Sequence, residues 1–119
     1  MPKPQKALSV RQPYLEEILR GNKTIEFRTQ ATNTRGPVYL YASKIRWGKQ
    51  AEAELERELG YSMDELTRGA ILGSVEIADC QFCEAEGMYH WQLENPQRLK
   101  RPLLTDARPQ PVWFYPFGR

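Results

Sequence analysis

The sequence predicts an α+β fold, a small mixed or closed β-barrel of about five or six mostly antiparallel strands flanked by two or three helices. Short segments rich in β-branched and aromatic residues recur along the chain, and turn residues separate them. Only two or three segments have the apolar spacing and the end signals of a helix. Strands this short, with turns between them, are typical of small barrels.

Two segments carry clear helix signals, and a third is short. In "QPYLEEILRG", Pro13 suits the first turn and Gly21 suits the end, and the apolar residues at positions 15, 18 and 19 form a core-facing stripe. The segment "GKQAEAELEREL" predicts a second helix that ends at Gly60. Ser62 then opens a short helix, and Glu65 three residues later completes a capping box.

The first predicted strand is "KTIEFR", in which apolar and polar residues alternate. Ile25 and Phe27 are therefore expected on the buried side of the strand. By the same period of two, Thr24, Glu26 and Arg28 share the opposite face. This polar face beside a predicted core is the first candidate for a binding surface.

Four further strands are predicted, namely "PVYLYAS", "GAILGSVEIADC", "MYHWQLE" and "PVWFYPF". Gly73 indicates a bulge in the longest of them. Trp91 and Trp113 are expected in the core, although Trp113 and Tyr89 stay open as walls of a cleft. The prolines of segment 95–110 predict a loop over most of its length, near the mouth of any cleft.

The totals describe an ordinary globular chain. The 119 residues predict one domain, 1–119, with a core from about 7 to 117 and a short flexible N-terminus. A net charge of +2 does not by itself require a nucleic-acid partner. No apolar run reaches the roughly 20 residues that a membrane span needs, and the start has no signal-peptide core. We expect a cytoplasmic protein, monomeric by default, that does not bind membranes.

Cys80 and Cys83 form a C-x-x-C pair. A structural zinc site usually needs a second pair of ligands, and His90 is the one histidine of the chain. A redox pair usually opens a helix after a strand. Zinc and redox roles stay open as alternatives, but we favour two reduced, partly buried thiols. We therefore expect neither a metal nor a cofactor.

Several segments together resemble one known family. They are "LSVRQPYLEEILRGNKTIEFR", "VYLYASK", "GAILGSVEIADC", "YHWQLENPQRL" and "PQPVWFYPF". This combination, from about Ala7 to Phe117, strongly resembles the ASCH domain family of the PUA-like superfamily. Its most specific element is the G-x-K-T-x-E-x-R block, here Gly21, Lys23, Thr24, Glu26 and Arg28.

The resemblance implies a PUA-like β-barrel with a cleft on one side that binds RNA or a nucleotide. Some relatives are amidohydrolases that deacetylate N4-acetylcytidine, and some are nucleases. In the amidohydrolases a Thr nucleophile follows the Lys by three residues, whereas here Glu26 stands three after Lys23. The resemblance thus points to Lys23, Thr24 and Glu26 as catalytic candidates. Glu84 or Glu86 would supply a distal carboxylate.

Seven further residues are candidates for ligand binding. Arg28 continues the polar face, and Arg11 and Gln12 precede a helix start, where free N–H groups attract anions. Basic and aromatic residues alternate in "YASKIRWGK", a pattern that suits phosphate contacts and base stacking. Two alternatives stay open, that Gln12 caps the helix and that Trp47 anchors the following helix. The seven are Arg11, Gln12, Arg28, Tyr41, Ser43, Lys44 and Trp47.

Three functions remain, in this order. The first is a module that binds RNA or a modified nucleotide in a polar cleft. The second is a small amidohydrolase acting on N4-acetylcytidine-like nucleosides. The third is a ribonuclease, which would need a divalent cation and a set of carboxylates that the sequence does not offer.

Overall fold

The computed structural model describes residues 3–118. Six strands, two α-helices and one short 3-10 helix follow one another along this part of the chain. Their order is β1 (Ala7–Arg11), α1 (Tyr14–Leu19), β2 (Ile25–Arg28), β3 (Gly36–Ser43), α2 (Lys49–Leu59), the 3-10 helix (Met63–Glu65), β4 (Ala70–Cys83), β5 (Met88–Leu103) and β6 (Trp113–Phe114).

All six strands join in one sheet, in the order β2-β5-β4-β3-β1-β6. Strands β1 and β3 run parallel, and the other neighbours are antiparallel. This confirms the predicted α+β class and the mostly antiparallel strands. Within residues 3–118, β2 pairs with β5 alone, so the sheet is a curled half-barrel rather than a barrel closed by backbone hydrogen bonds.

Side chains connect β2 and β1, which no backbone hydrogen bonds join within residues 3–118. The Arg28 Nη2 on β2 donates to the Ser9 carbonyl on β1, 2.9 Å away, although three strands of the sheet lie between them. Across the same interior, the rings of Trp91 and Trp113 stack with centroids 5.8 Å apart. Trp91 is 1% exposed, so the expectation that it packs in the core is confirmed.

The core lies between the sheet and α1, which packs against β1, β3 and β5. Leu15 and Ile18 of α1 are fully buried against strand residues such as Leu40 and Val75. The main cluster comprises Leu8, Val10, Leu15, Ile18, Val38, Leu40, Ala42, Ala70, Leu72, Val75, Ile77, Trp91 and Leu93. No helix within residues 3–118 combines the length and the apolar character that crossing a membrane requires.

The predicted helices are present close to their expected bounds. Gly60 follows α2 in the left-handed conformation, with φ of 81°, and Ser62 accepts a hydrogen bond from the backbone N–H of Asp64 at the start of the 3-10 helix. The bulge at Gly73 is confirmed, because the β4–β5 register shifts between Ile71 and Gly73.

The prediction of a loop over most of 95–110 was wrong, because β5 continues to Leu103. Asn95 has φ of 50°, and Pro96 lies where the β4–β5 register shifts between Ser74 and Glu76. At such a bulge a residue leaves the ladder, so proline's missing N–H costs little. The prolines mark irregularities within one long strand rather than its end.

Strand β1 was not predicted, and β6 is only two residues long. Lys6, the last residue of the predicted flexible start, already pairs with β3, because its carbonyl accepts a hydrogen bond from the Tyr39 N–H at 3.0 Å. Met1 and Pro2 lie outside the described residues. A five-residue segment that pairs in parallel with a distant strand carries little local signal, since its partner β3 begins 25 residues beyond its end.

The buried face of β2 was also predicted wrongly. Glu26 is 7% exposed, whereas Phe27 is 42% exposed. Glu26 stands opposite the core residue Trp91, and Phe27 stands opposite His90. The polar side of this edge strand therefore faces the interior of the half-barrel.

Candidate functional site

A cleft of about 890 Å³ is lined by residues of β1, β2 and the end of β3. Its volume lies within the range of about 300–1,000 Å³ that is usual for small-molecule sites. The lining residues are Ser9, Val10, Arg11, Tyr14, Lys23, Glu26, Phe27, Arg28, Tyr41, Ser43, Lys44, Ile45, Trp47, Arg108, Pro109, Gln110 and Pro111.

Three charged side chains from the G-x-K-T-x-E-x-R block form an ion cluster in this cleft. One oxygen of Glu26, Oε2, accepts from Arg28 Nε at 2.8 Å and lies 2.6 Å from Arg28 Nη2. The other oxygen, Oε1, lies 3.7 Å from Lys23 Nζ. The side chains are 9%, 19% and 16% exposed for Glu26, Arg28 and Lys23. Arg28 is therefore bound closely to one oxygen of Glu26. The other oxygen, Oε1, can still accept a hydrogen bond from a ligand.

Burial lowers the pKa of Lys23 below its ordinary value, and the positive charge of Arg28 acts in the same direction. Glu26 opposes both effects. The Lys23 ammonium also lies 4.6 Å from the centre of the Phe27 ring and 5.4 Å from that of Tyr14. These contacts hold a partly desolvated cation at the cleft wall, where it can donate to a ligand.

A second wall of the cleft is aromatic and basic. The Arg11 guanidinium lies over the Trp47 ring at 4.6 Å, and Tyr14 meets the same ring edge-on at 5.8 Å. The Trp47 Nε1 donates to the Gln12 carbonyl at 2.7 Å. That hydrogen bond ties the segment before α2 to the segment before α1, in agreement with the anchoring alternative, while Trp47 still lines the cleft.

The end of β3 contributes the third side. Tyr41 is 3% exposed and packs edge-on against Phe114, and burial raises its pKa. The hydroxyl of Ser43 accepts from the Ile45 N–H at 3.2 Å. Lys44 is exposed at the rim. Tyr41 is therefore mostly enclosed by its packing, although it lines the cleft.

Two candidate residues from the sequence do not line the cleft. Gln12 is 1% exposed, its Nε2 donates to the Thr67 carbonyl at 3.0 Å, and its Oε1 accepts from the Glu16 N–H at 2.9 Å. Gln12 therefore caps α1, as one of the two alternatives predicted. Thr24 is exposed and precedes β2, and its carbonyl accepts from the Leu93 N–H.

The structure adds residues that sequence reasoning did not assign. Arg108 to Pro111, before β6, form one side of the cleft, and Phe27 lies beside Lys23. The proline-rich composition of this segment predicted a loop near the mouth of a cleft, but nothing in it indicated which residues would face inward. Glu84 and Glu86, considered as distal carboxylates, lie in the β4–β5 turn and do not line the cleft.

The lining of the cleft carries more positive than negative charge. Glu26 is the one carboxylate among its lining residues within 3–118, and Lys23 and Arg28 already compensate it. In the same part of the chain, Arg11, Lys44 and Arg108 make no ion pair with a carboxylate. The cleft therefore presents a cluster of one carboxylate and two cations together with three cations that have no carboxylate partner among the described residues.

Comparisons with known proteins agree with this architecture. The family model of the ASCH domain matches residues 8–104, so the chain belongs to the ASCH domain family. A search among curated proteins finds no match. The crystal structure of ASCH from Zymomonas mobilis is similar, with a TM-score of 0.61 at 12% identity over 92% of this chain and 85% of that chain.

Two mutant structures of the same Zymomonas mobilis protein are similar as well. A serine-to-alanine mutant has a TM-score of 0.61 at 12% identity, over 97% of this chain and 90% of that chain. A tyrosine-to-phenylalanine mutant has a TM-score of 0.59 at 11% identity, over 95% and 90%. At this identity the likeness establishes the fold alone.

Proposed function

We propose that this ASCH domain binds RNA or a free nucleotide by taking a single nucleotide into the cleft. The observation that carries the proposal is the charge arrangement, a Lys23–Glu26–Arg28 cluster beside three cations without a carboxylate partner in residues 3–118. A nucleotide has the complementary features, a polar base edge and an anionic phosphate. A cluster that meets only solvent would not explain why a carboxylate is buried in a cavity of ligand size.

The base edge is assigned to Glu26 and Lys23. Glu26 Oε1 can accept from an exocyclic amine, such as cytosine N4 or adenine N6. The ammonium of Lys23, 3.7 Å from that oxygen, can donate to the ring nitrogen beside the amine, N3 of cytosine or N1 of adenine. Uracil would place a carbonyl oxygen against Glu26, and two acceptors repel each other. The pair therefore favours amino-bearing bases over uracil.

The phosphate is assigned to the rim cations. Arg11, Lys44 and Arg108 line the cleft without a carboxylate partner, and guanidinium groups bind phosphate oxygens with two parallel hydrogen bonds. The Trp47 ring stacks against the Arg11 guanidinium, with 4.6 Å between the guanidinium carbon and the ring centre. Because these residues line a single cleft, they can contact the few phosphates next to one bound nucleotide, but they do not form a track for a long strand of RNA.

The test is calorimetric titration of the purified protein with CMP, AMP and UMP. We expect CMP or AMP to bind more tightly than UMP by roughly tenfold or more, since a specific base contact is worth about 1–3 kcal/mol. Glu26→Gln should remove most of this preference, because an amide can turn its N–H toward uracil. The matched control is Glu54→Gln on the exposed side of α2, which should leave the preference unchanged.

Equal affinities for the three nucleotides, or a preference that survives in Glu26→Gln, would reject the assignment of the base edge. Failure of all three to bind, with circular dichroism showing a folded protein, would reject the nucleotide-binding proposal itself.

A second candidate is hydrolysis of an N4-acylated cytidine, favoured by one observation, the proximity of Lys23 and Glu26 in an enclosed cleft. In this scheme Glu26 takes a proton from a water molecule, whose oxygen attacks the acyl carbon, and Lys23 stabilises the oxyanion. The C–N bond then breaks, and Glu26 returns the proton to the leaving nitrogen. The products are a carboxylate and cytidine. Thr24 has no role in this scheme because it lies outside the cleft.

Chromatography of N4-acetylcytidine incubated with the protein tests this second candidate. Conversion to cytidine that Glu26→Gln and Lys23→Ala both lose would support the hydrolase. Unchanged substrate after incubation with a protein that binds CMP would leave binding as the function. A metal-dependent nuclease is not proposed, because Glu26 is the one carboxylate among the described residues of the cleft.

A further inference from the structure

A second group of reactive side chains lies outside the cleft, at the β4–β5 hairpin. The ligand atoms of Cys83, Glu86 and His90 all lie within 4.8 Å of one another. The His90 Nε2 and the Glu86 Oε1 are 2.7 Å apart and share a hydrogen bond. The His90 side chain is 21% exposed and that of Glu86 is 48% exposed, so the group is accessible from solvent.

The strand register explains why these side chains meet. His90 stands opposite Gln81, and residues opposite each other share a face of the sheet. Cys83 is two residues beyond Gln81 and therefore lies on that same face. Glu86 belongs to the turn that joins the strands, four residues before His90. The hairpin thus brings a thiol, a carboxylate and an imidazole together.

Cys80 belongs to the other face. It stands opposite the buried Trp91 and packs against the core. Two residues three apart on a strand have Cα atoms roughly 10 Å apart, beyond the about 7 Å limit for a disulfide. The C-x-x-C spacing therefore forms neither a disulfide nor a two-cysteine metal clamp in this structure, and both cysteines are free.

We propose that Cys83, Glu86 and His90 form a zinc-binding site with a fourth position open to water. Thiolate and imidazole are the ligands that Zn²⁺ prefers, and a carboxylate often completes such a set. With bonds of about 2.0–2.3 Å, the ligand atoms around tetrahedral zinc lie roughly 3.3–3.7 Å apart. Side-chain adjustments of about 1 Å, which an exposed turn permits, would reach that geometry. This site does not depend on the function of the cleft.

Zinc at this position would link the end of β4, the turn and the start of β5. The His90 ring also packs edge-on against Phe27 of β2, with centroids 4.9 Å apart. Phe27 lines the cleft and contacts Lys23. The metal would therefore stabilise β2, the edge strand that carries Glu26 and Arg28. The expected role is therefore to stabilise the hairpin and β2.

Cobalt substitution tests the site on the full chain, reduced and freed of metal with a chelator. We expect one equivalent of Co²⁺ to give the absorption bands of a tetrahedral complex and a thiolate-to-cobalt charge-transfer band, both displaced by Zn²⁺. Cys83→Ser should abolish the charge-transfer band. Cys80→Ser is the matched control, with the same substitution on the other face, and should keep the band.

A second variant covers the case in which Cys83→Ser folds poorly. Glu86 is exposed in the turn, so Glu86→Gln should leave the fold intact and weaken Co²⁺ binding by roughly tenfold or more. Zn²⁺ should raise the melting temperature of the wild type and of Cys80→Ser, but not that of Cys83→Ser. The proposal is overturned if Co²⁺ does not saturate the protein, if Cys83→Ser keeps the charge-transfer band, if Cys80→Ser loses it, or if Glu86→Gln binds as tightly as the wild type.

Discussion

The carboxylate of Glu26 lies where a charge is costly to keep, because only 9% of its side chain is exposed. Arg28 offsets this cost with two short contacts to one oxygen, and Lys23 lies near the other. Arg28 also donates to the Ser9 carbonyl, so the same guanidinium neutralises the carboxylate and connects β2 to β1. A single cluster therefore both stabilises the half-barrel and shapes the cleft.

This double role predicts a measurable loss of stability in Glu26→Gln. The amide still accepts a hydrogen bond from Arg28, but two mostly enclosed cations lose their counter-charge. We expect the free energy of unfolding to fall by about 1–3 kcal/mol, the range for hydrogen bonds to charged groups and for unsatisfied buried partners. Urea denaturation measures it.

Glu54→Gln, on an exposed helix surface, should stay within about 0.5 kcal/mol of the wild type in the same denaturation experiment. A Glu26→Gln protein that is as stable as this control would mean that solvent already screens the ion cluster.

The alternating pattern of β2 predicts which side chains share a face of the strand, but not which face is buried. The period of two correctly put Glu26 and Arg28 on one face of a strand. It could not say which face is enclosed, because that depends on Trp91 of a strand more than 60 residues away. The Arg108 to Pro111 side of the cleft had no local signal, since its position follows from where β6 joins β1.

At the scale of elements, the long β4–β5 pair is the framework of the sheet, and Gly73 lies where β5 and α1 both approach β4 closely. A Cβ added at Gly73 would lie 2.3 Å from the Gln97 carbonyl oxygen and 2.7 Å from Leu19 Cδ2. The first contact is with the backbone of β5, and the second is with α1. Both elements approach β4 closely only because this position has no side chain.

We therefore expect Gly73→Ala to separate β5 or α1 from β4 and to lower the free energy of unfolding by about 1–3 kcal/mol, the usual cost of overpacking. Gly48→Ala is the matched control, because nothing lies within 4 Å of a Cβ at that position and its φ is −82°. Thermal denaturation of both variants compares them. If both had the same melting temperature, the close approach at Gly73 would not be needed for the fold.

The elements were predictable where their signals are local in the sequence, and not where they depend on pairing with distant residues. Helices α1 and α2 follow from local spacing and end signals, and Gly73 indicated its bulge. Strand β1 and the second half of β5 were missed because their evidence is not local. One depends on parallel pairing with β3, and the other on β4 continuing alongside residues that include Pro96 and Pro102.

At the scale of the whole molecule, the net charge of +2 conceals a local concentration of cations. Arg11, Lys44 and Arg108 line one cleft, whereas Glu54 and Glu58 of α2 lie on an exposed surface. A nearly neutral protein with three available cations is suited to holding a few phosphates. It is poorly suited to binding a long strand of RNA.

This distribution predicts weak salt dependence for single-stranded RNA. Each neutralised phosphate contributes a slope of about −0.7 in a plot of log K against log salt concentration, so three cations allow roughly −2 at most. Fluorescence anisotropy of a labelled oligocytidylate at several salt concentrations measures the slope. Arg108→Gln should make it shallower by about 0.7, whereas Arg57→Gln, on α2 away from the cleft, should leave it unchanged. A slope steeper than about −4 would require phosphate contacts well beyond the cleft, and the RNA would then have to follow a longer surface.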